Sequence, residues 1–233
     1  MLNNETYGIS AEVAFCDVYN IQVNQKYRER ANENIVNNII NVVKIFKQEN
    51  KDFIVNKHIP EKQNVHDFIV NNTETLSLKS IKKSNSQPVA PQIVGQPTPK
   101  TYYKYFHKFI PLDENSYNQL DYQLQSSICK KVFLENIEEM LTIYWKNMNS
   151  SDHFIMITNA ASEKPEVNKI DIHNIPQWEK YTITTTRNIN NWNESNTIKL
   201  NGISIAEFQI HKNRKCFKFR FKLKGLRELG LIS

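Results

Sequence analysis

Residues 216–223 read Cys-Phe-Lys-Phe-Arg-Phe-Lys-Leu. Strict alternation of aromatic and cationic residues has one conformational solution, because only an extended strand sends successive side chains to opposite faces. Phe217, Phe219, Phe221 and Leu223 fall on one face, and Lys218, Arg220 and Lys222 on the other. The chain must therefore build a sheet that is covered on one side and open on the other. Same-side cations stand roughly 6.5 Å apart on such a strand, a spacing that suits a phosphate backbone. The alternative is a solvated outer face whose lysines discourage edge pairing. Charge segregation favours the first. Between residues 199 and 227 lie nine Lys or Arg and one acid, Glu207, a local +8 in a chain of net charge +6. Lys212 and Arg214 belong to the same stretch.

At 233 residues the chain can bury a core without staples. Apolar residues make up 39% and charged residues 23%, which excludes global disorder. No run approaches the roughly 18 apolar residues of a membrane helix. The N-terminus carries no signal-peptide pattern. Cys16, Cys129 and Cys216 stand far apart without a CxxC pair. That argues against a disulfide scaffold or cysteine zinc site and for a reducing cytoplasm. Neither GxGxxG nor GxxxxGK[ST] occurs, so nucleotide loops of those types are excluded.

Periodicity and turn residues predict the organisation. Ser10 caps a short helix reaching Tyr19. A helix over 30–49 presents Ile35, Ile39, Val42, Val43 and Phe46 on one face. Strands are expected at 65–70 and 76–81 around a polar turn at 71–75. Residues 84–99 hold four of the eight prolines and read as a loop. A short aromatic helix starts near Thr101, and a long one runs over 118–148. Strands follow at 153–158, 181–186, 197–210 with a break at Asn201-Gly202, and 216–223. The expected architecture is α/β: a mixed β-sheet flanked by helices, with a β-rich C-terminal region. The division is placed at residue 150, with 1–150 as the core and 151–233 as a basic β-rich recognition region, either a second lobe or part of the same domain.

The chemistry-bearing stretch is the predicted hairpin. Asp67 lies on its first strand. Ser77 and Lys79, two apart, share a face of the second. Asp67 and Lys79 then converge. A carboxylate holding a hard divalent cation, beside an ammonium that positions water, is the equipment of metal-assisted phosphodiester hydrolysis. A surface cross-strand ion pair of little worth is the plainer alternative. Glu12 sits on a helix face with Phe15, Cys16 and Tyr19 and is expected to be partly buried; read instead behind Ser10, it is a first-turn acid favoured by the helix dipole. Glu74 falls in the predicted turn, facing away. His58, His66 and His107 stand isolated. Gln92, Gln96 and Thr98, in the loop that leaves the second strand, are candidates for contact with bases or phosphates.

Asp67 followed by Ser77-Leu78-Lys79 resembles the PD-(D/E)XK nuclease superfamily, with Ser77 in the slot of the second acid. Gly8-Ile9-Ser10-Ala11-Glu12 resembles the context in which that superfamily supplies a helix glutamate. The resemblance covers roughly residues 5–100 and points to its small type II restriction endonucleases. It implies a restriction-endonuclease-like core and a Mg²⁺ ion held by Asp67, the Leu78 carbonyl and Glu12. Lys79 would position the nucleophilic water, and Ser77 would stand among the catalytic residues. The implied activity is Mg²⁺-dependent cleavage of double-stranded DNA at a short specific sequence. The basic C-terminal region would bind the duplex. Two-fold symmetric targets favour a homodimer, although a chain of this size can act alone. A non-catalytic nucleic-acid-binding protein, or a repair or junction-resolving member of the superfamily, is the competing reading.

Overall fold

The structure is a computed structural model that describes residues 4–59, 66–82, 97–172 and 174–233. The chain forms two compact units, one of residues 1–88, 149–172 and 233, the other of residues 89–148 and 173–232. The units interleave along the chain, whereas the sequence reading divides it once, at residue 150. The physical reason is strand pairing: the segment after residue 150 completes the sheet begun before residue 81.

The first unit opens with α1 (Asn4–Tyr19), α2 (Gln25–Arg28) and α3 (Glu33–Glu49). Helix α1 begins six residues before the predicted cap. Ser10 lies inside it, buried, with Oγ donating to the Thr6 carbonyl at 2.7 Å and accepting from the Asn32 N–H at 2.9 Å. Glu12 is therefore a mid-helix residue rather than a first-turn acid. The cap of α3 is Asn32, whose side chain accepts from the Ile35 N–H. Then come β1 (Val55–His58), β2 (Phe68–Val70), β3 (Glu74–Ser80), β4 (His153–Thr158) and β5 (Glu166–Lys169). They form one mixed sheet in the order β1-β2-β3-β4-β5, parallel only between β3 and β4. Helix α1 packs on α3, β3 and β1. Val13, Phe15, Val36, Ile39, Val43, Phe68, Leu76 and Leu78 fill the space between. Each such side chain, fully buried, contributes about 1.5–3 kcal/mol.

The second unit contains α4 (Pro99–Phe106), α5 (Glu114–Gln119), α6 (Tyr122–Glu135), α7 (Ile137–Met148), β6 (Ile183–Thr185), β7 (Ser195–Leu200), β8 (Ile203–His211), β9 (Cys216–Phe221) and α8 (Leu223–Glu228). The long helix expected over 118–148 is two helices, α6 and α7, preceded by the end of α5. Asp121 caps α6 through the Leu124 N–H at 2.8 Å, and Asn136 ends it by donating its side-chain amide to the Val132 carbonyl. The four strands form an antiparallel sheet in the order β6-β7-β8-β9. Asn201 and Gly202 turn β7 into β8 with φ of 49° and 85°, the left-handed pair that a tight hairpin demands. Phe217, Phe219 and Phe221 point inward as predicted, against Tyr102, Tyr144 and Trp145, with Tyr144 stacked on Phe219 at 3.9 Å. The strand stops at Phe221 rather than at Leu223, which opens α8. Among the described residues no helix is long and apolar enough to cross a membrane. All three cysteines are buried.

Candidate active site

Asp67 stands immediately before β2, with its backbone held on both sides. Its N–H donates to the Leu76 carbonyl at 2.8 Å, and its carbonyl accepts from the Ile59 N–H at 2.9 Å. The hairpin turns at Asn71 and Asn72, both in the left-handed region, which asparagine tolerates better than most residues. Alternation along β3 sends Leu76 and Leu78 into the core and leaves Ser77 and Lys79 on the opposite face. Asp67 Oδ2 accepts from the Leu78 N–H at 2.7 Å and from Lys79 Nζ at 2.9 Å. The Asp67 and Lys79 side chains are 16% and 32% exposed, so the pair sits at the edge of solvent rather than in it. Ser77 is buried between them in sequence.

Glu12 reaches this site from α1. Its Oε2 accepts from the Tyr27 hydroxyl at 2.6 Å and pairs with His58 Nε2 at 2.8 Å. A carboxylate only accepts, so His58 carries a proton on Nε2. The His58 ring is held in place by Phe68 and Tyr27, with centroids 5.1 and 5.0 Å away. Burial pushes the Tyr27 hydroxyl far up, with Glu12 adding to the rise, so it remains a donor. Burial also raises the Asp67 carboxyl. Lys79 opposes that rise and Glu12 adds to it, which makes the two acids electrostatic neighbours. Four elements thus converge: α1, α2, β1 and the β2–β3 hairpin.

The sequence does not disclose Tyr27 and His58 as partners of this site. His58 stands isolated in it because β1 carries no signal: four residues with only their ends buried show no alternation. Glu74 is the first residue of β3 rather than a turn residue. Its carboxylate accepts from Asn71 Nδ2 and pairs with His153 Nε2, both at 2.8 Å. It stands five residues, roughly 16 Å, along the strand from Lys79.

Among the described residues no three His, Cys, Asp or Glu side chains are gathered as a metal-binding group. Mg²⁺ requires less: one or two carboxylates, with waters and phosphate oxygens completing an octahedron. Asp67 and Glu12 supply hard oxygen donors whose charges already interact, so the residues present suit that ion in kind.

The second unit carries the cationic candidates. Lys218 and Arg220 lie half-exposed on the outer face of β9, with Arg220 donating to Gln209 Oε1 at 2.8 Å. Gln209 in turn donates to Glu207 and Ser195, so the lone acid of this stretch is tied into the same face. Lys212 and Arg214 are exposed in the β8–β9 turn, and Lys222 follows the strand at the start of α8. Thr98 is the N-cap of α4, its hydroxyl accepting from the Thr101 N–H, with Pro99 at the first helical position, the helix-start pattern that Thr98-Pro99 carries in the sequence. Gln92 and Gln96 lie outside the described residues.

Part of the chain is similar to the type II restriction enzyme CviAII of Paramecium bursaria Chlorella virus 1. The two are 29% identical over 167 residues, which is 70% of this chain and 43% of that protein. The match thus spans less than half of the relative. No family model matches the chain. No solved structure matches it at a significant level.

Proposed function

We propose that this chain is a Mg²⁺-dependent type II restriction endonuclease of the PD-(D/E)XK kind, hydrolysing phosphodiester bonds of double-stranded DNA at a short specific sequence in the cytoplasm. The observation that carries the reading is the Asp67 carboxylate, bonded at once to the Leu78 N–H and to the Lys79 ammonium, with its pKa raised by burial and further by Glu12. The similarity to a type II restriction enzyme supports the same class.

In this reading Asp67, Glu12 and the Leu78 carbonyl hold Mg²⁺. The ion, when bound, neutralises charge on the phosphoryl oxygens and makes water more acidic. Lys79 turns its ammonium from Asp67 to the attacking water and the scissile phosphate. Tyr27 and His58 hold Glu12 through one oxygen, Oε2, and so fix its carboxylate. Ser77, short and buried, leaves room where an acid would otherwise stand. Water attacks phosphorus in line and gives up its proton to solvent. The bond from phosphorus to the 3′ oxygen breaks, and that oxygen leaves as a hydroxyl. The second unit, through Lys212, Arg214, Lys218, Arg220 and Lys222, neutralises backbone phosphates. A homodimer would meet a two-fold symmetric target.

Digestion of several plasmids with Mg²⁺ tests this. Discrete fragments whose ends share one short sequence are expected. Duplex binding without cleavage would identify a non-catalytic basic protein, and sequence-independent degradation a nuclease of another type.

A further inference from the structure

A cleft of about 660 Å³ opens in the second unit, built wholly from that unit and lined by Thr98, Lys100, Asp121, Tyr122, Arg214 and Lys215, among others. Its size falls within the range of about 300–1,000 Å³ typical of small-molecule sites. Three of its lining residues, Lys100, Arg214 and Lys215, are cationic. The one acid, Asp121, is engaged in capping α6. Among the described residues, no ion pair involves Lys100, Arg214 or Lys215. The walls are fixed to one another: the Tyr122 hydroxyl donates to the His211 carbonyl at 2.9 Å, and the Phe217 N–H to the Pro97 carbonyl at 2.9 Å.

Lys215 carries the argument further. Its φ is 45°, in the left-handed region that a long L side chain rarely adopts. The other non-glycine residues with positive φ among those described, at positions 20, 71, 72, 159 and 201, are all asparagine. Among its non-glycine residues this chain uses asparagine wherever the backbone is left-handed, except at Lys215, which lines this cleft. Lys215 closes the β8–β9 turn, and its left-handed backbone places a cation at the edge of the cleft. The surrounding charge agrees. Beside the cleft, burial lowers the pKa of Lys218 and of His211, and neighbouring cations lower them further, Arg220 and then Arg214 at Lys218, Lys218 and then Arg214 at His211, so Arg214 stands in a field of like charge.

We propose that this cleft is a phosphate site for a nucleotide unit, with Lys215, Lys100 and Arg214 as its ligands. The proposal rests on the DNA-directed reading above only for the source of the phosphate, a bound strand, rather than for the existence of the site.

The test uses Lys215→Asn, which removes the cation while installing the residue this chain itself places at such backbone. It is joined by Lys100→Gln and by Lys180→Gln, an exposed cation outside the cleft. Affinity for a labelled duplex is measured from about 50 to 200 mM salt, and each lost phosphate contact should flatten the slope of log K against log salt by about 0.9. The cleft variants should show that change and Lys180→Gln should not, while Lys215→Asn melts no lower than wild type. Titration with deoxycytidine monophosphate and with inorganic phosphate, in the absence of DNA, forms the second arm. A flattened slope assigns the cleft to a strand. An unchanged slope, with nucleotide binding lost in Lys215→Asn, assigns it to a free nucleotide. An unchanged slope with no saturable nucleotide or phosphate binding overturns the proposal. Should wild-type protein bind no duplex at all, the DNA-directed reading fails, and the nucleotide arm alone decides the cleft.

Discussion

At Asp67, burial and the neighbouring Glu12 raise the carboxyl pKa against the pull of Lys79, while at His211 and Lys218 burial and nearby guanidinium groups push the other way. In both units the charged form is disfavoured in the free protein, and a ligand of opposite sign would relieve it: a divalent cation in the first, a polyanion in the second. The two places are built differently. The acids of the first unit are locked by short hydrogen bonds from Leu78, Lys79, Tyr27 and His58, so their positions are set before anything binds. The cations of the second lie on an open strand face and in a turn, where attraction matters more than position. Substitutions in the first unit should therefore act steeply on rate, and those in the second gradually on binding.

The largest separation is expected from Asp67→Ala and Lys79→Ala. Each should reduce cleavage below detection and leave duplex affinity near that of wild type, because neither residue belongs to the cationic face. Plasmid nicking and gel-shift affinity measured on one preparation check this. Cleavage retained by either variant would remove the catalytic assignment, and binding lost by both would dissolve the contrast between the units.

A smaller effect is expected from Tyr27→Phe. It deletes one hydroxyl and with it the 2.6 Å bond to Glu12. Loss of a group that orients a metal ligand commonly costs about 10–100-fold in metal affinity or activity. The shift should appear in the Mg²⁺ concentration needed for half-maximal rate. It should appear also in calorimetric binding of Mn²⁺ without DNA, a readout that a merely structural role would not move. An unchanged isotherm would place Glu12 outside the metal site.

How much of this was legible depended on whether a signal is local. The inward phenylalanines of β9 could be read because alternation is a property of adjacent residues, and the Asp67–Lys79 pairing because two asparagines mark the hairpin turn. The long helix over 118–148 could not be divided by apolar spacing alone, since Asp121 and Asn136 interrupt it through side-chain hydrogen bonds to the backbone. Ser10 suggested a cap, yet the serine hydroxyl bonds as readily to a carbonyl four residues back within a helix. The Tyr27–His58–Glu12 cluster joins residues from three elements far apart in sequence, and no spacing rule links them. The strain at Lys215 is a dihedral angle, which composition does not carry.

The smallest effect concerns His211, and it probes the second unit in the free state. Burial lowers its pKa below 6.5, and Lys218, Arg214 and Arg220 add to the fall against the opposing pull of Glu194. Its Nε2 is buried without a partner among the described residues, so a protonated ring would have no acceptor there. The sign follows from linkage. A base whose folded pKa is depressed favours the neutral form, so its contribution to stability is full above 6.5 and is lost as pH falls through the folded value. A bound polyanion reverses the local field and raises that pKa, so duplex binding takes up a proton. Affinity should rise as pH falls from the pKa of the bound state to that of the free state, by at most tenfold per unit of difference, since about 1.4 kcal/mol corresponds to one pKa unit. Resonances of the imidazole ring, assigned with His211→Gln, should titrate below the ordinary histidine range in free protein and move upward with duplex present. An identical midpoint with and without DNA would mean that the β9 face is only a solvated surface, and the opposition between the two units would then rest on the first alone.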